Sequence, residues 1–354
     1  MRQNLQSRIY LTSKDTFALY SLPDDANHFL IRQFTNALTP FNAKTIDKEG
    51  FVFYPFEENI KHPSILIKKE ALIKNPLVQF LSEHEGHLTT ISKGHYLKTV
   101  GKFIKATQEQ YQKIIYSRIK PFQFDTGNLF ELFMALKERY QKTFVYLVNI
   151  PKIGCWMGAS PEIFVQKQKN TIQTVALAGT QRDLGLPLDR VYWGHKEIEE
   201  QAIVSQYIEN ILTQQGITYH KTNAQTVKAG NVLHLKTKFR FSIKKGFFSL
   251  IKALHPTPAV CGIPKQKAKA FISKTEAHKR AYYTGFLGPL NIHKSSDLFV
   301  NLRCMQVFKD KFALYIGGGI TKDSVAIQEW EETEMKAQTL ENVIEQVCSS
   351  PFFV

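Results

Sequence analysis

Residues 314–340 read LYIGGGITKDSVAIQEWEETEMKAQTL, and the rest of the chain is organised around them. The stretch opens as a strand, because Phe312, Leu314 and Ile316 alternate with Ala313 and Tyr315 in an apolar run. Gly317, Gly318 and Gly319 follow, then a polar turn in which Asp323 and Ser324 are good helix N-caps. Residues 326–347 then read as one helix. On it Glu329, Glu332 and Lys336 fall at i, i+3 and i+7, so all three project from one face.

Helix stability alone does not ask for that arrangement. An exposed pair such as Glu332 with Lys336 stabilises a helix by only about 0.2–0.5 kcal/mol, and a solvated charged face is the plain alternative. The functional reading puts two carboxylates and an ammonium into a pocket beside a glycine-lined strand end. Carboxylate oxygens suit Mg²⁺, a hard ion that often shares its shell with an anionic substrate. Glycines let backbone N–H groups come close to a ligand.

With 354 residues and 43% hydrophobic content, the chain can bury a large core. The net charge of +15 raises nucleic acid as a partner. The basic residues are scattered, however, with small clusters at Lys68 and Lys69, at Lys244 and Lys245, and at Lys265, Lys267 and Lys269. No nucleic-acid motif surrounds them, so an anionic small molecule is expected instead. Cys155, Cys261, Cys304 and Cys348 lie far apart without a CxxC, which argues against a zinc site or a disulfide framework. The first residues, MRQNLQSRIYLTSKD, lack the apolar core of a signal peptide, and no apolar run approaches the roughly 18 residues of a span. The expectation is a cytoplasmic protein that touches neither membrane nor nucleic acid. A monomer is the default, since nothing in the sequence reports the oligomeric state.

Residues 1–105 read as a scaffold within the same domain, and 106–348 as the catalytic region. The scaffold shows strands at 17–22, 50–56 and 64–68, and a short helix at 76–83 capped by Asn75. At 107–120, Thr107 and Gln110 have capping-box spacing, with Tyr111, Ile114 and Ile115 on one apolar face and Lys113 among them. Lys113 is then either a snorkelling surface lysine or a partly desolvated amine able to act as a base. Glu162 starts a strand after Ser160 and Pro161, where a solvent-facing carboxylate is the ordinary outcome. Ala178, Gly179 and Thr180 form a tight turn after a strand at 171–177, offering N–H and hydroxyl donors to an anion.

An amphipathic helix at 195–212 buries Ile203, Val204, Tyr207, Ile208 and Ile211. Glu200 lies above that stripe, while Glu197 and Glu199 are less well aligned; acidic residues in a first turn also simply complement the macrodipole. An alternating strand at 231–239 puts His234 opposite Leu233 and Leu235. His255 heads a rigid loop at 254–264 that holds three prolines. Residues 298–307 read as a strand with Arg303 and Asn301 on one face. Runs of strands with few helices between them indicate an α+β fold with antiparallel sheets.

Taken together, GASPE (158–162), ALAGT (176–180), LHPTPAVCG (254–262), RAYYTG (280–285), GGGI (317–320) and EWEETEMK (329–336) resemble the chorismate-binding enzymes. With the Lys113 segment, the resemblance covers roughly residues 107–345. It implies two large antiparallel sheets flanked by helices, with the site between them. It implies Mg²⁺ held by Glu200 and Glu332, with Glu329 close by, and Arg303 and Tyr283 gripping the enolpyruvyl carboxylate of chorismate. Ala178, Gly179, Thr180, Lys336 and the amides of Gly317, Gly318 and Gly319 match further substrate contacts, and His255 matches an active-site histidine. KIIYSR (113–118) resembles the segment whose lysine activates water in isochorismate and salicylate synthases, which makes Lys113 the base and Glu162 the acid. Ala178 stands where aminodeoxychorismate synthases carry a nucleophilic lysine. The expected activity is isochorismate synthesis for menaquinone. A siderophore-pathway isochorismate synthase, or a salicylate synthase that also expels pyruvate, are the alternatives. Two residues depart from the pattern: Gln181 where many relatives have arginine, and Gln201 where they often have histidine. The second leaves Glu197 and Glu199 open as ligands in place of Glu200.

Overall fold

Period-2 patterning decides where the core lies. Along Thr16–Ser21, Phe17 and Leu19 point to one side of the strand while Ala18 and Tyr20 point to the other, and all four are buried. Phe144–Ile150 repeats this, with Val145 and Leu147 on the first side and Phe144, Tyr146 and Val148 on the second. Strands apolar on both faces must be covered on both, so a sheet made of them needs a layer above and a layer below.

The computed structural model describes residues 8–123, 127–229 and 232–348, and supplies both layers. The first sheet runs through Gly262–Ile263, Lys113–Gln123, Lys311–Ile320, Cys304–Val307 and Gly154–Ser160. It continues through Phe144–Ile150, Thr16–Ser21, Phe29–Gln33 and Ala71–Lys74. The second runs through Tyr219–Lys221, Val232–Ser242, Thr171–Arg182 and Ile163–Gln168, then Ser295–Val300, Phe286–Leu290, Gly50–Tyr54 and Ile65–Lys68. Gln225–Ala229 also pairs with Val232–Ser242. Every pairing within these two sheets is antiparallel, as the sequence predicts.

The inner faces meet in an aromatic core. Phe144 stacks on Phe299 at 4.3 Å between ring centroids, and Phe53 on Tyr282 at 3.9 Å. Helices α1 (Lys93–Glu109), α2 (Leu129–Arg139), α3 (His195–Gln214), α4 (Phe247–Leu254), α5 (Lys265–Thr275) and α6 (Ala326–Cys348) lie outside the sheets. Phe133 and Leu136 of α2, with Leu340 and Ile344 of α6, cover the first sheet. Val204 and Ile208 of α3, with Leu250 and Ile251 of α4, cover the second. Residues before 105 feed both sheets, through Thr16–Ser21 in one and Gly50–Tyr54 in the other.

Two local expectations are overturned. No helix forms at 76–83: Asn75 takes φ +49°, its Oδ1 accepts from the His28 N–H at 2.9 Å, and Val78–Phe80 pairs in parallel with Ile9–Leu11. Nor does a helix begin at Thr107. That residue sits in the last turn of α1, where its hydroxyl donates to the Ile104 carbonyl at 2.7 Å, and the cap is Ser92, which accepts from the His95 N–H at 3.2 Å. Helix α2 has no counterpart in the sequence reading. Asn231, at the start of the predicted strand 231–239, and the first seven residues lie outside the described residues.

Candidate active site

The site forms where the chain passes from one sheet to the other. Gly154–Ser160 belongs to the first sheet and Ile163–Gln168 to the second, so Pro161 and Glu162 are the crossing. The predicted single strand at 298–307 is also broken. Ser295–Val300 pairs in the second sheet and Cys304–Val307 in the first, with Asn301, Leu302 and Arg303 between them. Arg303 takes φ +47° there, so it does not alternate with Asn301 as in a strand. The two crossings lie side by side: the Ala159 N–H donates to the Arg303 carbonyl at 3.0 Å, and the Val300 N–H to the Glu162 carbonyl at 2.9 Å. Asn301 pins them, accepting from the Tyr146 hydroxyl at 2.6 Å and donating to the Tyr282 carbonyl at 2.9 Å.

This seam turns Glu162 inward rather than toward solvent. Burial pushes its carboxyl up to about 7, against the pull of Arg303 and Lys113. Burial lowers the Arg303 guanidinium from its ordinary value, with Tyr283, Glu332 and Glu162 opposing. The Tyr283 phenol is raised well above its ordinary value by burial and stacks on Tyr315 at 5.5 Å.

The glycines are not a loop after the strand but part of it. Gly317, Gly318 and Gly319 pair with Ser117, Tyr116 and Ile115. The strand on the other side stops level with Tyr315, so this stretch is paired on one edge only. Each glycine leaves room for a functional group. A Cβ on Gly317 would stand 2.8 Å from the Tyr283 hydroxyl, and one on Gly318 would stand 3.1 Å from Glu329 Oε2 and 3.8 Å from Glu332 Oε1. A Cβ on Gly319 would fall on the Lys113 side chain.

Helix α6 delivers its charged face to these glycines. Lys336 pairs with Glu332 and donates to the Gly317 carbonyl at 3.0 Å. Ser324, predicted as a cap, instead donates to Glu329 Oε1 at 2.7 Å while accepting from the Thr321 N–H at 3.1 Å. Burial raises the Glu329 carboxyl, and its Oε2 is buried without a hydrogen-bond partner among the described residues. Burial also pushes Glu332 upward, but Lys336, Lys113 and Arg303 outweigh it and hold that carboxyl below its ordinary value.

The second sheet supplies the opposite wall. Ala178, Gly179 and Thr180 are not a turn: Thr171–Arg182 runs through them, and the register shifts between Ala178 and Thr180 in a bulge. Gly179 takes φ +69°, and a Cβ there would meet the Glu197 carbonyl of α3 at 2.9 Å. The Thr180 hydroxyl lies 3.1 Å from His234 Nδ1. Gln201, the departure from the family pattern, anchors α3 by donating to the Ala176 carbonyl at 3.1 Å and to the Thr237 hydroxyl at 3.0 Å. With Gln201 facing the sheet, its neighbour Glu200 reaches Lys113 across the site at 3.7 Å. Glu199 points to solvent with His195, and Glu197 folds back toward Gly194.

His255 stands apart from these residues. Its Nε2–H donates to the Pro55 carbonyl at 3.0 Å, and its ring packs among Tyr54, Phe164 and Phe286. Burial lowers its pKa to about 3, so the imidazole is neutral. A group that sequence reasoning missed lies under the same strand as Lys113, at Ser117. Glu276 Oε1 accepts from the Ser117 N–H and hydroxyl, each at 2.8 Å, and from Arg280, which also donates to the Ile115 carbonyl at 2.9 Å. Arg280 is visible in the RAYYTG stretch; nothing marks Glu276.

The carboxylates of Glu200, Glu329 and Glu332, with an unpartnered buried oxygen on Glu329, are hard oxygen donors of the kind Mg²⁺ takes. Among the described residues no three acidic, histidine or cysteine side chains converge into a preformed cage. Glu200 and Glu332 each face an ammonium instead. The residues fit a metal shared with an anionic substrate better than a closed protein site.

Residues 58–345 match a family described as chorismate binding enzyme. Isochorismate synthase EntC of Escherichia coli K12 is 28% identical over 249 residues, 66% of this chain and 62% of that protein. Isochorismate synthase MenF of Haemophilus influenzae is 26% identical over 221 residues, 60% of this chain and 51% of that protein. The matches thus span about half to three-fifths of these relatives. Among solved structures, MenF of Escherichia coli, titled the menaquinone-specific isochorismate synthase, superposes with a TM-score of 0.77 at 20% identity, covering 94% of this chain and 89% of that one. Anthranilate synthase component I of Streptococcus pneumoniae gives 0.70 at 18% identity, covering 92% and 90%. At those identities the structural likeness is one of fold.

Proposed function

Because the chain belongs to the chorismate binding enzyme family, we propose that it is a magnesium-dependent isochorismate synthase. The observation that carries this reading is the placement of Glu162, a carboxyl held up to about 7, in the field of both Lys113 and Arg303 at the seam between the sheets. An acid and a base in one enclosed site are what exchange of a ring hydroxyl needs.

Arg303 and Tyr283 would grip the enolpyruvyl carboxylate, with Lys336, Thr180 and the glycine strand as further contacts. Glu200 and Glu332, with Glu329 beside them, are the residues that would hold Mg²⁺, whose charge would neutralise the ring carboxylate. Lys113 is the base that takes a proton from the water that adds at C2. The two ring double bonds shift, and the C4 hydroxyl leaves as water with the proton of Glu162. One water enters and one departs, so the product is an isomer of the substrate. The acid and the base each contribute roughly 10²–10⁴-fold. Ala178, with no amine to offer, is compatible with water as the nucleophile. We assign His255 to fixing the 254–264 loop beside the site, since its Nε2–H is committed to a backbone carbonyl.

We take menaquinone supply as the purpose, on the strength of the MenF names among the relatives. A reducing, cytoplasmic setting is supported by Cys155, Cys261 and Cys304, which are buried and unpaired. The test is incubation with chorismate and Mg²⁺, with and without an isochorismate-consuming lyase. Isochorismate alone, and salicylate only with the lyase, is the expected result. Salicylate and pyruvate without the lyase would replace the proposal with a salicylate synthase.

A further inference from the structure

Glu329 and Glu332 serve the candidate site only if α6 lies at one place along the first sheet. A slip of one helical turn would carry both carboxylates about 5.4 Å along the helix axis. The strand Lys113–Gln123 runs beside the glycines, and its alternate residues face opposite sides. Lys113 and Ser117 share one face. Tyr116, Arg118 and Lys120 share the other, level with Gly318, Ile316 and Leu314 of the paired strand. On that second face a Cβ at Gly318 would approach Glu329 and Glu332, so it is the face along which α6 lies.

Arg118 is 3% exposed, and its guanidinium meets α6. Its Nε donates to the Thr333 hydroxyl at 3.0 Å, its Nη2 donates to Glu334, and its Cζ lies 4.1 Å from the centre of the Trp330 ring. The Thr333 hydroxyl in turn donates to the Trp330 carbonyl at 2.7 Å, and Tyr96 of α1 meets the Trp330 ring edge-on at 5.3 Å. Neutralising Glu334 does not require an arginine, because Lys120 already pairs with it at 2.8 Å and with Glu341 at 2.8 Å. What Lys120 lacks is direction. An ammonium is a point charge on a flexible stem, whereas a guanidinium is a rigid planar fork that also stacks on an aromatic face. Trp330, Thr333 and Glu334 interleave with Glu329, Glu332 and Lys336 along about two turns of α6, so a fork that fixes the first set fixes the second.

We propose that Arg118 is a positioning residue of the candidate site. It sets the register of α6 on the strand that carries Lys113, and with it the distance from Lys113 to Glu329 and Glu332. It acts through the helix and needs no contact with substrate. The proposal rests on the reading of those three as site residues.

Arg118→Lys keeps the charge and removes the fork. Two quantities are read in the full chain: hydrogen exchange of the α6 amides at 329–336 without ligand, and the Mg²⁺ concentration that gives half-maximal turnover of chorismate. In Arg118→Lys, exchange at 329–336 should rise about tenfold more than in the core strand Phe144–Ile150, and the Mg²⁺ requirement should rise about tenfold. Thr333→Val removes one acceptor and should move both in the same direction by about threefold. Lys120→Ala removes a charge but leaves the fork, and should move neither by more than about twofold. Exchange at 329–336 that rises no more than in the core strand overturns the proposal. So does an equal effect in Lys120→Ala, since charge alone would then hold α6. Faster exchange with an unchanged Mg²⁺ requirement overturns it as well, leaving Arg118 a stabilising role only. Absence of chorismate turnover in the wild type removes the proposed function instead, and the exchange result alone then decides the register.

Discussion

On one wall of the candidate site, Lys311–Ile320 leads into α6 within a few residues, and the groups that hold its carboxylates come from the same stretch. Ser324 bonds Glu329, Lys336 pairs with Glu332, and Lys336 also reaches back to the Gly317 carbonyl. On the other wall, α3 starts at Gly194 without a side-chain cap, and its glutamate is held from far away. Glu200 pairs with Lys113 of the opposite sheet, and Gln201 fixes the helix through Ala176 and Thr237. The first wall is assembled by local sequence; the second exists only once both sheets have formed. Charge placed by neighbours is robust, whereas charge placed across a cleft depends on everything that sets the distance.

The largest effect should come from the residues that span the two walls. Lys113→Ala and Glu162→Gln should each lower turnover by roughly 10²–10⁴-fold with the fold intact, read by steady-state kinetics and circular dichroism. Wild-type rates in either would remove that residue from the chemistry. The buried support of the strand that carries Lys113 comes next. Glu276→Ala leaves Arg280 without its partner and should cost about 3–5 kcal/mol in urea unfolding, with activity lost through the strand that Ser117 anchors. A cost under about 1 kcal/mol would mean that the strand is held elsewhere.

Glu162 also sets a pH dependence whose sign is fixed by its raised carboxyl. The folded state keeps a proton that the unfolded chain releases near its ordinary value, so stability falls as pH rises from about 4.5 to about 7. Glu162→Gln removes that loss and should gain up to about 3 kcal/mol relative to wild type at pH 8, and little at pH 4. Turnover in the chorismate-to-isochorismate direction should fall above pH 7 for the same reason. A pH-independent stability difference would show that Glu162 ionises freely. The smallest effect separates the walls directly. Gln201→Ala should cost about 1–2 kcal/mol and raise the Mg²⁺ concentration needed for activity, by loosening the helix that carries Glu200. Gln206→Ala, exposed on the same helix, should change neither.

The same contrast explains what the sequence disclosed. The α6 wall was legible because strand, glycines and helix are contiguous and the period of 3.6 puts Glu329, Glu332 and Lys336 on one face. Strand-rich organisation was legible from runs such as Phe144–Ile150. The crossings at Glu162 and Arg303 were not, because a chain that changes sheets keeps its apolar alternation and only the pairing partners reveal the break. Helical phase set Glu200 nearer the buried stripe than Glu197 and Glu199, but Gln201, which orients the helix through residues 25 and 36 positions away, was not legible as an anchor. Capping chemistry misled at Asn75, Thr107 and Ser324, where side chains that can cap a helix were engaged by other groups.

The measurement that tests the account most directly is turnover of chorismate with Mg²⁺ in H₂¹⁸O, followed by mass analysis of the product at early times. On the proposed mechanism, water activated by Lys113 enters at C2 as the C4 hydroxyl leaves on the proton of Glu162. The prediction is isochorismate carrying one ¹⁸O, in the C2 hydroxyl. Isochorismate formed without label would contradict the assignment, because the hydroxyl would then have moved within the substrate and neither residue would have the role given to it.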